Sequence, residues 1–186
     1  MTVSEMMGLL KTLVDDEVGL ERALVWFNEC SDDIAAVARM RVSATAEFEG
    51  GKEFALPSDL VTLVELKLDD TILLPAQFRI STPKSHPYSR WGGVIEFHEE
   101  QEEGTLHIYY HRRLQQLEGE NDTPEIPFQF HRLYPLFAGA RYWKMWGDEP
   151  QREHDLRLEY ETLKAELNRY TDKEGHPGAF RQKMVW

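Results

Sequence analysis

Cysteine is almost missing from this chain: Cys30 is the only one in 186 residues. That excludes a disulfide framework within one chain and a thiolate zinc cluster. A lone cysteine is compatible with a reducing compartment. Long apolar runs are missing too. No segment approaches the ~18 uninterrupted apolar residues of a membrane span. The start, Met1-Thr-Val-Ser-Glu-Met6, has neither the basic end nor the apolar run of a signal peptide. The expectation is a soluble chain made in the cytoplasm. Basic side chains are short against acidic ones, 21 to 33, for a net charge of −12. This excludes general affinity for phosphate backbones or anionic lipid. Catalytic signatures are also lacking. Gly50-Gly51 and Gly92-Gly93 have no lysine in register and no following helix. There is no Gly-x-Ser-x-Gly elbow and no His-Glu-x-x-His.

What is present reads as an ordinary globular chain, 41% hydrophobic and 29% charged. Its length suits one domain with a tail. Thr2-x-x-Glu5 fits a capping box, with a helix to about Val14. Asp15 and Asp16 can cap a second helix carrying Leu20, Ala23, Leu24 and Phe27. Ser31, Asp32 and Asp33 resemble a fresh cap, so that helix is either continuous or broken near Cys30. From Val42 the pattern turns to strands: 42–48, 53–56, 61–68 and a return at 72–74. Residues 81–93, with Pro83, Pro87, Gly92 and Gly93, read as a loop. Residues 94–98 and 105–111 read as a hairpin around an acidic turn. Pro127 then opens a helix to Trp146, and Gly147 to Pro150 breaks it. Leu156, Tyr160, Leu163, Leu167 and Tyr170, spaced 4, 3, 4, 3, make the apolar stripe of a last helix. The order of helices, strands, helices gives an α+β fold. The expected form is a helical bundle from both ends, a central antiparallel β insertion and an extended tail. The segments are 1–41, 42–113, 114–170 and 171–186.

Chemistry-bearing residues are few. His107 and His111 share a strand face with Tyr109 between them. Glu96 or His98 on a neighbouring strand would complete a metal site; a polar surface stripe is the simpler reading. Cys30 beside Glu29 and Asp32 has charges that raise its pKa, so it reads as an ordinary helix cysteine. Glu99, Glu100, Glu102 and Glu103 lack a calcium-loop register and read as a solvated tip. Tyr134, Phe137, Tyr142, Trp143 and Trp146 at helical spacing read as core or intersubunit aromatics.

One ordered series of short motifs stands out. Leu56-Pro57-Ser58-Asp59 enters a strand, and Tyr109-Tyr110 ends another. Pro124-Glu125-Ile126-Pro127-Phe128-Gln129-Phe130 opens a helix, Gly147-Asp148 breaks it, and Tyr160-Glu161 lies in the last one. In this order they resemble the head–tail adaptor (connector) proteins of tailed bacteriophages and prophages, over about residues 45–170. The resemblance implies a virion protein of the neck, without catalysis or cofactor. It would form a ring, usually of twelve copies, beneath the portal protein. The ring would extend the DNA channel, without sequence-specific contact, and dock the next neck or tail protein. It also implies a C-terminus inserted into the portal. Phe180, Arg181, Lys183, Met184, Val185 and Trp186 would supply the anchor.

The charge fits such a channel. Residues 1–120 carry −11, and Asp15, Asp16, Glu17, Asp32, Asp33, Glu99, Glu100, Glu102 and Glu103 are the lining candidates. An acidic wall lets DNA slide. The same charges would also simply keep the subunit soluble. The competing readings are a tail-completion or terminator protein of the neck and a small metal-dependent enzyme built on His107 and His111.

Overall fold

The structure, a computed structural model, describes residues 1–75, 88–146 and 149–173, and the backbone of 181–184. The fold is α+β. Two compact units divide it: Met1–Arg39 with Arg113–Gly178, and Met40–Arg112 with Ala179–Trp186.

The first unit is helical. α1 (Val3–Val14) starts on the expected capping box, with Thr2 and Glu5 each accepting from the other's backbone N–H. Two more N–H groups of its first turn find carbonyls in the later loop, Val3 on Asp122 and Ser4 on Glu120. Asp15 does not cap a second helix. It ends α1 in the left-handed conformation, its N–H on the Lys11 carbonyl. α2 (Leu20–Ala38) begins after Gly19 with no side-chain cap and runs unbroken past Cys30. Ser31 and Asp33 do not compete for their own backbone, because other helices hold them. Ser31 Oγ meets the Tyr134 hydroxyl at 3.1 Å, and Asp33 Oδ2 accepts from Tyr160 and Lys164.

The helix expected from Pro127 starts later. A 3-10 turn (Phe128–Phe130) follows Pro127, and α3 spans Leu133–Trp146. Pro135 explains the delay. It has no N–H to give to residue 131, so it fits only in the first turn of a helix. α4 (Pro150–Lys173) follows. It meets α3 through the ring pair Phe137–Tyr160 and the preceding 3-10 turn through Phe130–Tyr170, both 5.4 Å between centroids. Residues rising on one helix meet residues falling on the other, so this pair is antiparallel. Tyr160 and Leu167 of the α4 stripe are buried, and Leu156, Leu163 and Tyr170 are half-buried.

The second unit has two sheets. One has the order β4 (Thr71–Leu73), β3 (Leu60–Leu68), β7 (Gly104–Arg112), β1 (Met40–Phe48), β8 (Arg181–Met184). The other is β2 (Gly51–Ala55), β6 (Val94–Gln101), β5 (Tyr88–Trp91). Alternate residues feed one core, including Val42, Ala44 and Phe48 from β1, Leu106, Ile108 and Tyr110 from β7, and Ile95 and Phe97 from β6.

Two expectations are corrected here. Strands 94–98 and 105–111 are not a hairpin: β6 pairs with β2 and β5, while β7 pairs with β1 and β3. The β1/β7 ladder runs to Phe48↔Gly104, and pairing resumes at Gly51↔Gln101 in the other sheet. One long two-stranded ribbon therefore bends from sheet to sheet. The bend needs Gly50. Its φ is +86°, and a Cβ would sit 3.2 Å from the Gln101 carbonyl oxygen. Second, residues 88–91 are strand β5, turned on Gly92-Gly93 into β6, and not loop. The rest of that expected loop lies outside the described residues.

Candidate interaction surfaces

The aromatic candidates separate by depth. Tyr134 is core: it is buried, edge-on to Phe27 at 6.0 Å between centroids. Phe137 is half-buried against Tyr160. Tyr142, Trp143 and Trp146 gather at the end of α3 with Trp26 of α2. Trp146 lies 5.8 Å from Trp26 and 5.6 Å from Tyr142 between centroids, and the Arg22 guanidinium stacks on it at 4.8 Å. Arg152 covers Trp143 in the same way at 4.9 Å. Trp146 remains 48% exposed. A cavity of about 260 Å³ opens beside it, lined by Asp16, Glu17, Val18, Arg22, Trp26 and Tyr142. Trp26 was not singled out in the sequence. Its signal was its place on the apolar face of α2.

The acidic candidates are all exposed, but not equally free. Asp16 accepts the Tyr142 hydroxyl at 2.8 Å and, next in effect, the Glu17 N–H. Both hold its carboxyl below the ordinary range. Glu17 is lowered by its hydrogen bond to Lys11 at 2.6 Å. Burial pushes Asp33 up, but Lys164 and Tyr160 outweigh it and leave its pKa low. Those three charges are spent within the subunit. Asp15, Asp32, Glu99, Glu100, Glu102 and Glu103 have no ion-pair partner among the described residues. Glu102 and Glu103 form the β6–β7 turn, and Glu99 and Glu100 lie at the end of β6.

The histidine site does not assemble. β7's neighbours are β1 and β3, so His107 faces Thr45, at 3.5 Å from Oγ1, and pairs with Lys67 in register. His98 is on the other sheet, hydrogen-bonded to Ser89 Oγ at 2.7 Å. The expected third ligand from β6 fails because β6 is not β7's neighbour. Among the described residues no three His, Cys, Asp or Glu side chains gather to hold a metal ion. Cys30 is fully buried, and burial above all drives its thiol pKa up, so the neighbouring charges are secondary.

Of the tail candidates, Phe180, Val185 and Trp186 lie outside the described residues. The backbone of Arg181–Met184 is β8, added parallel to β1 from Val42↔Arg181 to Thr45↔Met184. A further apolar feature is Trp91, 72% exposed at the tip of the β5–β6 hairpin opposite Val94. The sequence signal was there, an aromatic beside Gly-Gly, but Pro83 and Pro87 drew the segment into the loop reading.

No described helix is long and apolar enough to cross a membrane. The described residues form a helical unit and a β unit of two sheets. The sequence model of the family described as SU10 adaptor protein matches residues 1–182. The chain belongs to that family, in agreement with its resemblance to phage head–tail adaptors. Such proteins are structural parts of the phage particle and contact other head and tail proteins. Among curated proteins none matches the chain.

Proposed function

We propose that this chain is a subunit of the adaptor ring beneath the portal. Twelve copies extend the DNA channel and offer a docking surface to the next neck or tail protein. The observation that carries the reading is family membership over residues 1–182. The protein works by assembly and not by catalysis. The unpaired carboxylates of Asp15, Asp32, Glu99, Glu100, Glu102 and Glu103 line or rim the channel, where they repel the phosphate backbone and keep DNA free to slide. The tail residues Phe180, Arg181, Lys183, Met184, Val185 and Trp186 anchor the chain in the portal, the apolar ones filling its pockets. Trp146 and its cavity suit an intersubunit contact, because half-exposed tryptophan beside arginine is the composition of interface centres.

The test is truncation after Lys173, the last residue of α4. The shortened chain should keep its helical signal and cooperative unfolding yet fail to dock on portal rings. Undiminished docking would remove the tail from the anchor role.

A further inference from the structure

We propose that in the assembled ring the β5–β6 hairpin tip of one copy seats Trp91 in the aromatic cleft around Trp146 of the next copy. This rests on the ring reading above and names the two surfaces that meet.

Trp91 pairs with Val94 across the Gly92-Gly93 turn, and Val94 pairs with Ala55 of β2 on its other side. Paired residues share a face of a sheet, and all three are exposed, so an apolar row crosses the end of this sheet. Ser89, Glu96 and Glu53 form the next row on the same face. The opposite face puts Ile95 and Phe97 in the core. A slip of one residue would bury Trp91 only by exposing Ile95, so the register holds the indole outward.

The receiving site lies in the helical unit. Trp26, Tyr142 and Trp146 wall the cavity of about 260 Å³, and Arg22 stacks on Trp146. An indole packs on such a wall as Trp146 itself packs on Trp26. A buried indole N–H needs an acceptor, and the carboxylates of Asp16 and Glu17 line the same cavity.

Three observations make the occupant a second copy. Trp91 is 72% exposed and Trp146 48% exposed in the single chain, so neither is covered within it. Charge is complementary. Residues 88–101 carry Arg90 against Glu96, Glu99 and Glu100, net −2, whereas α3 carries Arg141 and Lys144 with no acidic residue, net +2. Glu53 and Glu96 have no ion-pair partner among the described residues, nor has Arg22 at the cleft, so the row behind Trp91 meets Arg22. Asp16 and Glu17 are already engaged by Tyr142 and Lys11. Finally, tip and cleft belong to different units of the chain and are different surfaces. Such a contact is head-to-tail, the type that closes a ring, with a buried aromatic anchor at its centre.

The experiment uses full-length chain with the photoreactive residue benzoylphenylalanine in place of Trp91. This chain is isotopically labelled, mixed equally with unlabelled wild-type chain, assembled on portal rings and irradiated. Crosslinked peptides should join position 91 of the labelled chain to residues 16–26 or 142–146 of the unlabelled one. Trp91→Ser, made separately, should unfold like wild type, because the side chain is exposed. It should need about tenfold more chain to saturate portal rings. Rings whose crosslinks go to the portal or elsewhere on the chain, or Trp91→Ser rings that form at undiminished affinity, overturn the contact and leave the ring reading standing. If wild-type chain forms no ring on the portal, the ring reading falls and the contact falls with it.

Discussion

The Tyr110 hydroxyl donates to Asp59 Oδ1 at 3.0 Å across 51 residues of sequence. It thereby joins two of the motifs that marked the chain, the Leu-Pro-x-Asp strand entry and the Tyr-Tyr strand end. The Tyr110 ring is fully buried, and burial first, with Asp59 second, raises its phenol pKa. The motifs are therefore one structural feature, a buried tyrosine that pins the turn before β3 to the end of β7.

Tyr110→Phe keeps the ring and removes the donor. It should cost about 1.5–3 kcal/mol, the worth of a hydrogen bond to a charged group. Urea unfolding checks this, and a variant as stable as wild type would mean the contact does not hold the turn.

Leu167 is fully buried in α4, and Leu158 on the same helix is 60% exposed. Leu167→Ala should cost about 2–5 kcal/mol. Leu158→Ala should stay within about 0.5 kcal/mol. Equal effects in thermal unfolding would contradict the orientation of α4.

His131 gives a pH dependence with a defined sign. Its neutral ring donates from Nε2 to the Ile126 carbonyl at 2.8 Å, and Nδ1 accepts from the Met1 ammonium at 2.8 Å. Burial first, and the ammonium after it, hold its pKa below 6.5 despite the carbonyl contact. The unfolded chain takes up the proton first as pH falls. The stability from this site is therefore fully present above about pH 6.5, the unfolded value, and is lost progressively as pH falls from there through the lower folded-state pKa. His131→Gln should be less stable than wild type at pH 7.5, and the gap should narrow at pH 5.5. A gap that widens on acidification would reverse the assignment.

The turn carboxylates supply a functional test that leaves the fold alone. Changing Glu99, Glu100, Glu102 and Glu103 to Lys alters exposed side chains and should shift stability little, within about 0.5 kcal/mol per site. Particles carrying the change should release DNA more slowly, and added salt should reduce the difference. Unaltered release at low salt would assign these charges to solubility.

Local signals were legible in the sequence wherever the residues concerned are neighbours in the chain. The Thr2–Glu5 box, the β3–β4 return at Asp69-Asp70 and the α4 stripe are all of this kind. The errors arose where a distant partner decides. Whether the second helix breaks near Cys30 stayed open, because a sequence does not show Tyr134, Tyr160 and Lys164 holding Ser31 and Asp33; the helix is continuous. Residues 94–111 read as a hairpin because adjacency in sequence favours pairing. In the fold the ribbon bends at Gly50, and β6 and β7 go to separate sheets. The aromatic cluster was half legible. Tyr142, Trp143 and Trp146 share a helix, whereas Trp26 reaches them from another.

The mass of the complex formed when full-length chain is mixed with portal rings tests the central claim most directly. A ring with one copy of this chain per portal subunit is the predicted result. A chain that leaves the portal bare, or instead caps tail tubes, would contradict it.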